Sequence, residues 1–255
     1  MKQALILAAG VGKRLGDLTK DIPKCLLQID SENTLLDYSL ESMKDNGIKK
    51  VVLVTGFAED KIREHISKKW ENKFSFEFVF NDKFDKYNNI YSAYLARDFW
   101  NDETVLFNSD IVFEANILNN LRQRTNSPEA GAMASYLVVD DTKKLSNEDM
   151  KITINEYGYI NKINKNLNIE TSFGEYIGIM YLRGLERIRF LESIEENIKN
   201  KKFDLYYEDA LAHVLDEISV LPCLTNGKAW TEVDTKEDYE IAKQIACKIT
   251  SVGFV

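Results

Sequence analysis

The chain has 255 residues, of which 44% are hydrophobic and 29% are charged, a composition typical of a soluble globular protein with a sizeable core. Its 33 Lys and Arg and 41 Asp and Glu give a formal net charge of −8, which disfavours binding to nucleic acid or to an anionic membrane. Two histidines and three scattered cysteines exclude Cys/His zinc clusters and a CxxC redox pair. No segment approaches the roughly 18 apolar residues of a membrane span, and the odd number of cysteines fits a reducing compartment, so we expect a cytoplasmic protein.

The first half of the chain alternates predicted strands and helices. In chain order, these elements are a strand at residues 3–8, a helix through 36–43, a strand at 51–54, a helix through 62–66, a strand at 74–80, a helix at 90–99 and a strand at 104–107. Short apolar runs identify the strands, and apolar residues three or four positions apart identify the helices. Such alternation predicts a mostly parallel sheet with helices on both faces, whose ligands bind beyond the carboxyl ends of the strands.

The second half is less regular. Its predicted elements are a strand at 130–139, two strands within 151–163 that turn at Tyr157-Gly158, a strand at 175–182, helices at 185–198 and 205–215, a strand at 218–224 and a closing helix at 234–247. There is no internal repeat and no low-complexity linker, which indicates a single domain. His65 is expected on the surface and His213 in the core, and with no other histidine a Ser-His-Asp triad is disfavoured.

A glycine-rich loop follows the first predicted strand. Gly10, Gly12 and Gly16 suit a phosphate ligand, because bare backbone N–H groups approach oxygens closely. The spacing excludes a dinucleotide fingerprint, which needs glycine where Leu15 stands, and a Walker A loop, which needs Gly-Lys followed by Ser or Thr. A simple turn with solvated basic residues is the alternative. Residues 13–24 carry a net charge of 4 − 2 = +2 against −10 for the rest of the chain, which favours a compact polyphosphate.

Two segments in and after this loop carry a family resemblance. Residues 7–15 read LAAGVGKRL and residues 21–27 read DIPKCLL, and together they resemble the signature of the nucleotidyltransferases that make nucleoside-diphosphate sugars and related activated compounds. Residues 87–92 (YNNIYS), 174–179 (GEYIGI) and 230–235 (WTEVDT) are similar to the phosphocholine cytidylyltransferase branch of that family. This branch includes 2-aminoethylphosphonate and phosphoglutamine cytidylyltransferases. The resemblance extends over nearly the whole chain.

The resemblance implies a fold and a function. The fold is Rossmann-like α/β of the nucleotide-diphospho-sugar transferase type, in which helices flank a mostly parallel mixed sheet that carries a small β insertion. The single domain, residues 1–255, then has a nucleotide-binding half at 1–125, an acceptor-binding half at 126–247 and a C-terminal tail at 248–255. The function is Mg²⁺-dependent transfer of CMP from CTP to a small zwitterionic phosphate or phosphonate of the phosphocholine, 2-aminoethylphosphonate or phosphoglutamine type, with release of pyrophosphate.

In such enzymes a phosphate oxygen of the acceptor attacks the α-phosphorus of the nucleotide, so the protein supplies positioning and charge. The resemblance assigns Arg14 and Lys24 to catalysis, and the alternative for each is a solvated surface cation. The residues assigned to nucleotide binding are Leu7, Ala8, Ala9, Gly10, Gly12, Lys13, Arg14, Thr55, Gly56, Asn88, Asn89 and Ser92. For the polar side chains of residues 88–92, helix capping is the alternative role.

Two aspartates are candidate Mg²⁺ ligands. Asp110 follows a predicted strand, where a carboxylate projects into the ligand crevice, and Mg²⁺ prefers such oxygen ligands. Asp234 is the second candidate, although Asp234 and Glu237 also have the spacing of a capping box that opens the last helix. The resemblance assigns both aspartates to the metal, and the two roles of Asp234 are compatible.

Aromatic and acidic residues in the second half predict a pocket for an ammonium group, because ring faces and carboxylates both attract cations. The residues assigned to acceptor binding are Lys24, Lys165, Glu175, Tyr176, Tyr207, Glu208, Asp209 and Trp230. Lys162 is close enough to Lys165 to leave that register open. The alternative is that the aromatic residues pack in the core and that Glu208 and Asp209 form an exposed first turn of a helix.

Two rival functions are a sugar-1-phosphate nucleotidyltransferase and a non-catalytic nucleotide-binding regulatory module. The second rival requires loss of a charged site residue, yet the charged residues that the resemblance identifies are all present: Arg14, Lys24, Asp110 and Asp234. The expected partners are CTP and a small phosphorylated or phosphono substrate, with no nucleic acid and no membrane. The sequence leaves the oligomeric state open.

Overall fold

The computed structural model describes residues 1–127 and 134–252, with side chains up to residue 249. Its strands are β1 (Gln3–Ala8), β2 (Lys50–Thr55), β3 (Ser75–Phe80), β4 (Thr104–Asn108), β5 (Ile111–Phe113), β6 (Ser135–Asp140), β7 (Lys151–Ile154), β8 (Ile160–Asn164), β9 (Gly174–Tyr181), β10 (Val220–Leu224) and β11 (Trp230–Glu232). Its helices are α1 (Leu35–Asp45), α2 (Glu59–Lys69), α3 (Asn89–Leu95), α4 (Ala115–Asn126), α5 (Gly184–Lys199), α6 (Tyr207–Ala212) and α7 (Lys236–Val252). The predicted alternation of strands and helices is confirmed through β4.

The central sheet is mixed and mostly parallel, as predicted. Its strand order is β10-β6-β9-β4-β1-β2-β3. The four strands β3, β2, β1 and β4 are parallel to one another. β10 is parallel to β6, and β9 runs antiparallel between β4 and β6. The hairpin of β7 and β8 joins the edge of β9 and forms the small β insertion.

Helices cover both faces of the sheet because successive residues of each strand face opposite sides. In β1, Ala4, Ile6 and Ala8 belong to the core that α1, α2 and α4 cover. Leu5 and Leu7 belong to the core on the opposite face, which α3, α5 and α6 cover. The continuous apolar run of β1 is therefore buried on both faces, as is usual for a parallel strand between two helical layers.

A second sheet has no counterpart among the predicted elements. Its two strands, β5 and β11, have three residues each and pair antiparallel, with Glu232 opposite Ile111. α7 packs on this small sheet, and Leu15 and Leu27 from the beginning of the chain complete the core between them. β11 and α7 thereby pack against the segments that follow β1 and β4.

Several boundaries differ from the predicted ones. Residues 130–133 of the strand predicted at 130–139 lie outside the described residues, and β6 begins at Ser135. His213 is exposed after the short helix α6, so the core position expected for it is wrong. α7 continues into the predicted tail as far as Val252, and residues 253–255 lie outside the described residues. None of the helices in the described part of the chain is both long and apolar enough to cross a membrane.

The buried carboxylate of Asp37 joins α1 to α2. Asp37 is 1% exposed, accepts a hydrogen bond from the backbone N–H of Thr34 (2.8 Å) in the capping box of α1, and lies 2.8 Å from His65 Nε2 on α2. Burial alone would raise the pKa of Asp37, but hydrogen bonds from His65, Thr34 and Trp70 hold that pKa well below its ordinary value. The ionised carboxylate therefore stabilises the folded state.

We expect Asp37→Asn to lower the free energy of unfolding by about 3 kcal/mol near neutral pH, because buried donors lose their anionic acceptor. Since the folded-state pKa is lowered, this stabilisation is present above the unfolded-state pKa of about 4 and is lost as the pH falls through the folded-state value. Urea denaturation of both proteins at a series of pH values measures the difference. The exposed Asp45→Asn on the same helix is the control, and an equal loss in the two variants would contradict this role.

Candidate active site

A cleft of about 390 Å³ opens beyond the carboxyl ends of β1, β3 and β4, the edge at which parallel sheets bind ligands. Residues from both halves of the chain line it. The predicted site residues among them are Leu7, Ala9, Gly10, Gly12, Lys13, Arg14, Lys24, Asn88, Asn89, Ser92, Asp110, Lys165, Tyr176, Glu208 and Asp234. The cleft therefore brings together side chains assigned to the nucleotide, the metal and the acceptor.

The glycine loop forms one wall of the cleft. Gly12 has a φ of 70°, and its carbonyl oxygen accepts hydrogen bonds from Leu15 N (3.0 Å) and Thr19 Oγ1 (2.8 Å). A Cβ atom at Gly12 would lie only 3.1 Å from the Cβ of Lys24, whereas a Cβ at Gly10 would meet no atom within 4 Å. Glycine at position 12 therefore lets the loop fold closely against Lys24.

Lys24 lies between two carboxylates at the floor of the cleft. Its Nζ is 2.9 Å from Asp110 Oδ2 and 2.6 Å from Asp234 Oδ1, and its side chain is 10% exposed. Burial lowers the pKa of Lys24, but the two carboxylates more than offset burial and raise it overall. Arg14 is more exposed, and its guanidinium lies 2.6 Å from Asp234 Oδ2. Both cations are thus fixed beside the glycine loop, and Lys24 is not a solvated surface lysine.

Glu232 is a third carboxylate at this position, and sequence reasoning missed it. Asp110, Glu232 and Asp234 each offer an oxygen, and these three oxygens lie within 4.8 Å of one another. The pairing of β5 with β11 brings them together, and Val233 N donates to the Asp110 carbonyl at 2.8 Å. The sequence contains a signal for Glu232, because it stands two residues before Asp234 at the end of a strand, where alternate residues share a face.

The carboxylate cluster suits a hard divalent cation. Burial, followed by the charges of Asp110 and Asp234, raises the pKa of Glu232 to about 8. Burial also tends to raise the pKa of Asp234, but Lys24 and Arg14 lower it overall. Asp110 Oδ1 is buried and has no hydrogen-bond partner. An all-oxygen donor set with such an unsatisfied oxygen fits the ligand preference of Mg²⁺.

The capping box of α7 does not use the Asp234 side chain. Asp238 Oδ2 accepts hydrogen bonds from Thr235 N (2.8 Å) and Asp234 N (3.1 Å), and Asp238 N donates to Thr235 Oγ1 (3.2 Å). Thr235 and Asp238 therefore cap the helix, one residue later than the predicted pair. This arrangement leaves the carboxylate of Asp234 free to face Lys24 and Arg14.

The polar segment at the start of α3 forms the opposite wall. Asn88 caps the helix through Asn89 N (2.7 Å), and its Nδ2 donates to the carbonyl of Asp204 (3.0 Å). The Oδ1 of Asn89 accepts a hydrogen bond from Tyr207 N (2.9 Å). Ser92 Oγ accepts one from Asn81 Nδ2 (3.0 Å). The capping role of Asn88 is therefore real. The amides of Asn88 and Asn89 tie α3 to the segment that precedes α6 and to the first residue of α6.

Three of the residues assigned to the nucleotide do not line the cleft. Ala8 and Thr55 are buried, and a Cβ atom at Gly56 would lie 2.6 Å from the Cβ of Phe84 and 2.8 Å from the Ala9 carbonyl oxygen. Gly56 thus allows Phe84, which does line the cleft, to pack against the glycine loop. Phe84 and Asn81 follow β3 at the ligand edge of the sheet, and this position was the available sequence signal for them.

Some of the residues assigned to the acceptor line the cleft, and a second group lines a neighbouring cavity. Tyr176 and Glu208 line the cleft, as does Lys165, whereas Lys162 is exposed on β8 outside the lining. Tyr207 is buried below them, and its hydroxyl lies 2.9 Å from the Tyr176 hydroxyl and donates to Asn108 Oδ1 at 3.1 Å. Asp209 lies outside the lining, and its carboxylate accepts the Tyr206 N–H (2.8 Å) at the start of α6.

The second group, Glu175 and Trp230, lines a neighbouring cavity of about 590 Å³. There the Nζ of Lys143 pairs with Glu175, lies 3.3 Å from Asp149 Oδ1 and lies 5.4 Å from the centre of the Trp230 ring. Trp230 Nε1 donates to Asp140 Oδ2 (2.7 Å). Arg14, Lys165, Glu232 and Asp234 line both cavities, so the second cavity opens beside the carboxylate cluster.

Residues 3–169 match the model of the nucleotidyl transferase family, which is more than half of the chain. The chain belongs to this family. It is 29% identical to CTP:phosphoglutamine cytidylyltransferase of Campylobacter jejuni, with 93% of the chain and 98% of the relative covered. It is 25% identical to choline-phosphate cytidylyltransferase of Streptococcus pneumoniae, with 95% and 97% covered. The predicted resemblance to a nucleotidyltransferase of the phosphocholine cytidylyltransferase branch is confirmed.

A solved structure confirms the fold class. The structure of CTP:phosphocholine cytidylyltransferase from Streptococcus pneumoniae superposes with a TM-score of 0.74, covers 96% of this chain and 100% of the solved one, and is 20% identical. At that identity the likeness supports the fold alone. This nucleotidyltransferase therefore has the flanked, mostly parallel sheet of its structural neighbours.

We expect Gly12→Ala to lower the free energy of unfolding by about 1–2 kcal/mol, because alanine at a positive φ is strained and its Cβ would crowd Lys24. Gly10→Ala is the matched control, since its Cβ would enter open space, and its change should stay within about 0.5 kcal/mol. Chemical denaturation of both variants measures the two values. Equal effects in the two variants would show that the close approach to Lys24 carries no constraint.

Proposed function

We propose that this nucleotidyltransferase transfers CMP from CTP to a small phosphate or phosphonate that carries an ammonium group, with Mg²⁺ at the carboxylate cluster and release of pyrophosphate. The observation that carries the proposal is the position of Lys24, which lies beside the glycine loop and within 2.9 Å of both Asp110 and Asp234 in one cleft. Cytidylyltransferases that align over more than nine-tenths of the chain support CTP as the nucleotide. The buried thiols of Cys25 and Cys223, which form no disulfide, support a cytoplasmic location.

In the proposed reaction, an oxygen of the acceptor phosphate attacks the α-phosphorus of CTP. The new P–O bond forms as the bond from the α-phosphorus to the oxygen that bridges to the β-phosphate breaks. Pyrophosphate leaves with that bonding electron pair, so no covalent enzyme intermediate is required. The protein therefore acts through positioning and through charges that are fixed before the substrates bind.

The basic residues in and after the glycine loop fit the task of holding the phosphates. Lys13 and Arg14 line the cleft within the glycine loop and would hold the triphosphate, together with backbone N–H groups at Gly10 and Gly12. Lys24 would contact both the α-phosphate and the attacking phosphate. Because carboxylates already orient its ammonium, Lys24 loses little conformational freedom when the phosphates bind.

Asp110, Glu232 and Asp234 would hold the metal ion. The unpartnered Oδ1 of Asp110 and the crowding of three carboxyl groups both fit such a ligand. When bound, Mg²⁺ neutralises phosphate charge and favours displacement at phosphorus. The adjoining residues of this chain keep the carboxylates in place, since Val233 N donates to the Asp110 backbone and Lys24 contacts two of the three carboxylates.

The nucleoside would lie toward α3, where the cleft is lined by Ala9, Asn81, Asn88 and Ser92. Backbone groups at the end of β1 would meet the base and ribose, as the resemblance implies. Asn89 and Thr55 also belong to the residues proposed for nucleotide binding. They would contribute through the segments in which they lie, because the Asn89 side chain bonds to Tyr207 N and Thr55 is fully buried.

The test is a matrix of pyrophosphate release with Mg²⁺. It crosses CTP, UTP, ATP and GTP with phosphocholine, 2-aminoethylphosphonate, phosphoethanolamine, phosphoglutamine and glucose-1-phosphate. We expect turnover with CTP and at least one ammonium-bearing acceptor. Turnover with glucose-1-phosphate alone would overturn the acceptor class, and turnover with UTP in place of CTP would overturn the nucleotide.

Within that assay, Lys24→Met should lower kcat by at least about 100-fold, because a preorganised charge at the reacting phosphates is removed. Lys20→Met is the matched control, since Lys20 is an exposed lysine of the same basic segment and does not line the cleft. It should stay within about threefold of the wild type. A loss of similar size in both variants would contradict the specific role of Lys24.

Asp110→Asn and Glu232→Gln should each weaken Mn²⁺ binding by at least about tenfold, because each replaces an anionic ligand with a neutral amide. Electron paramagnetic resonance of free Mn²⁺ measures the affinity without turnover. Glu237→Gln is the control, because Glu237 is exposed in the first turn of α7, near the cluster but outside it. Unchanged Mn²⁺ affinity in both cluster variants would place the metal elsewhere.

A further inference from the structure

Glu208 is a buried carboxyl group with an unused oxygen at the inner end of the cleft. It is 4% exposed, lines the cleft, and its Oε2 has no hydrogen-bond partner. It belongs to the first turn of α6 and follows the fully buried Tyr207. Its position is therefore fixed by the protein, while one oxygen has no donor.

Asn89 fixes the turn of α6 that carries Glu208. Its Oδ1 accepts the Tyr207 N–H at 2.9 Å, so this amide side chain holds the beginning of α6, directly before Glu208. Below Glu208, the Tyr207 hydroxyl bonds to Tyr176 and Asn108. The pocket around Glu208 is thus rigid on two sides, which is the property of a recognition site rather than of a mobile surface group.

The buried Oε2 of Glu208 is energetically unfavourable as long as no hydrogen-bond donor contacts it. A buried acceptor without a partner loses the hydrogen bonds that water would give it. Burial raises the pKa of Glu208 to about 7, and its charged neighbour on α6, Asp209, adds negative charge. Both effects favour a ligand that brings an N–H donor together with positive charge.

We infer that Glu208 Oε2 accepts an N–H hydrogen bond from the ammonium group of the acceptor, so that the cleft selects a primary ammonium over a quaternary one. This inference rests on the proposed function and deepens it by naming the head group. A primary ammonium offers three N–H donors, whereas a trimethylammonium group offers none. Rejection of the quaternary group follows, because it leaves the buried oxygen unpaired.

A quaternary ammonium binds best to free ring faces, and several rings near Glu208 and in the neighbouring cavity already face groups of the chain. Lys165 Nζ lies 5.6 Å from the centre of the Tyr206 ring, and Lys143 Nζ lies 5.4 Å from the centre of the Trp230 ring. Tyr87 is stacked on Phe203 at 4.1 Å. These ring faces are already in contact with cations or rings of the chain itself.

Glu175, the other buried glutamate assigned to the acceptor, differs from Glu208 in one respect. Lys143 pairs with Glu175 and also with Asp149, so the charge of Glu175 is already compensated within the protein. A ligand ammonium at that position would have to displace Lys143. Of the two glutamates, Glu208 is therefore the one that is prepared for an external cation.

The test compares four ligands that differ only in methyl groups on nitrogen: phosphoethanolamine, its N-methyl and N,N-dimethyl derivatives, and phosphocholine. Their affinities are measured by isothermal titration calorimetry on protein saturated with Mg²⁺ and α,β-methylene-CTP, which does not turn over. We expect affinity to fall along the series, with a total loss of at least about 30-fold from phosphoethanolamine to phosphocholine. Equal or tighter binding of phosphocholine, or no binding of any of the four, would overturn the inference.

Glu208→Gln should bring phosphoethanolamine down to the affinity of phosphocholine, because the charged acceptor is lost while the side-chain shape is kept. Asp216→Asn, an exposed carboxylate in the turn after α6, is the matched control and should keep the full difference along the series. A uniform loss for all four ligands in Glu208→Gln would assign Glu208 a structural role and overturn the inference. Failure of the proposed function has another signature, which is the absence of CTP-dependent pyrophosphate release with every acceptor.

Discussion

The buried ammonium of Lys24 is the charge on which the arrangement of the site depends. Removing such a cation from water costs several kcal/mol unless carboxylates surround it. Asp110 and Asp234 supply these carboxylates from positions 86 and 210 residues further along the chain. The sheet order places β4 next to β1, and the pairing of β11 with β5 returns Asp234 to the same place. The strand order therefore brings the two carboxylates to Lys24, and the buried charge of Lys24 is tolerated only because they are there.

Most of the central sheet could be predicted because its strands are buried on both faces and appear as continuous apolar runs. β5 and β11 could not be predicted in this way, since three residues carry no periodicity and their pairing depends on contact between distant segments. The apolar residues that identified α5 do not all lie on its core face. Leu185 and Ile188 are exposed, whereas Phe190 and Ile194 face the core.

The charged part of the site was predictable to a greater extent than the polar part. Arg14, Lys24 and Asp110 stand at strand ends or in the motif, and they lie in one cleft. For the amides of Asn88 and Asn89, sequence indicates a polar segment but not the partners, which are Asp204 before α6 and Tyr207 at its first position. The same limit applies to the acceptor residues, because whether a buried carboxylate is already paired depends on a side chain such as Lys143 that lies far away in sequence.

The dependence of the site on β11 and α7 links function to the order in which the chain is made. During synthesis, β1, the glycine loop and Lys24 emerge before Asp110, and Glu232 and Asp234 emerge after it. The contact between Lys24 and Asp234 joins residues that are 210 positions apart, so the entropy cost of closing a long loop opposes it. A nascent chain that has already folded its parallel strands still lacks two of the three clustered carboxylates. The carboxylate cluster is therefore complete only after β11 has paired with β5.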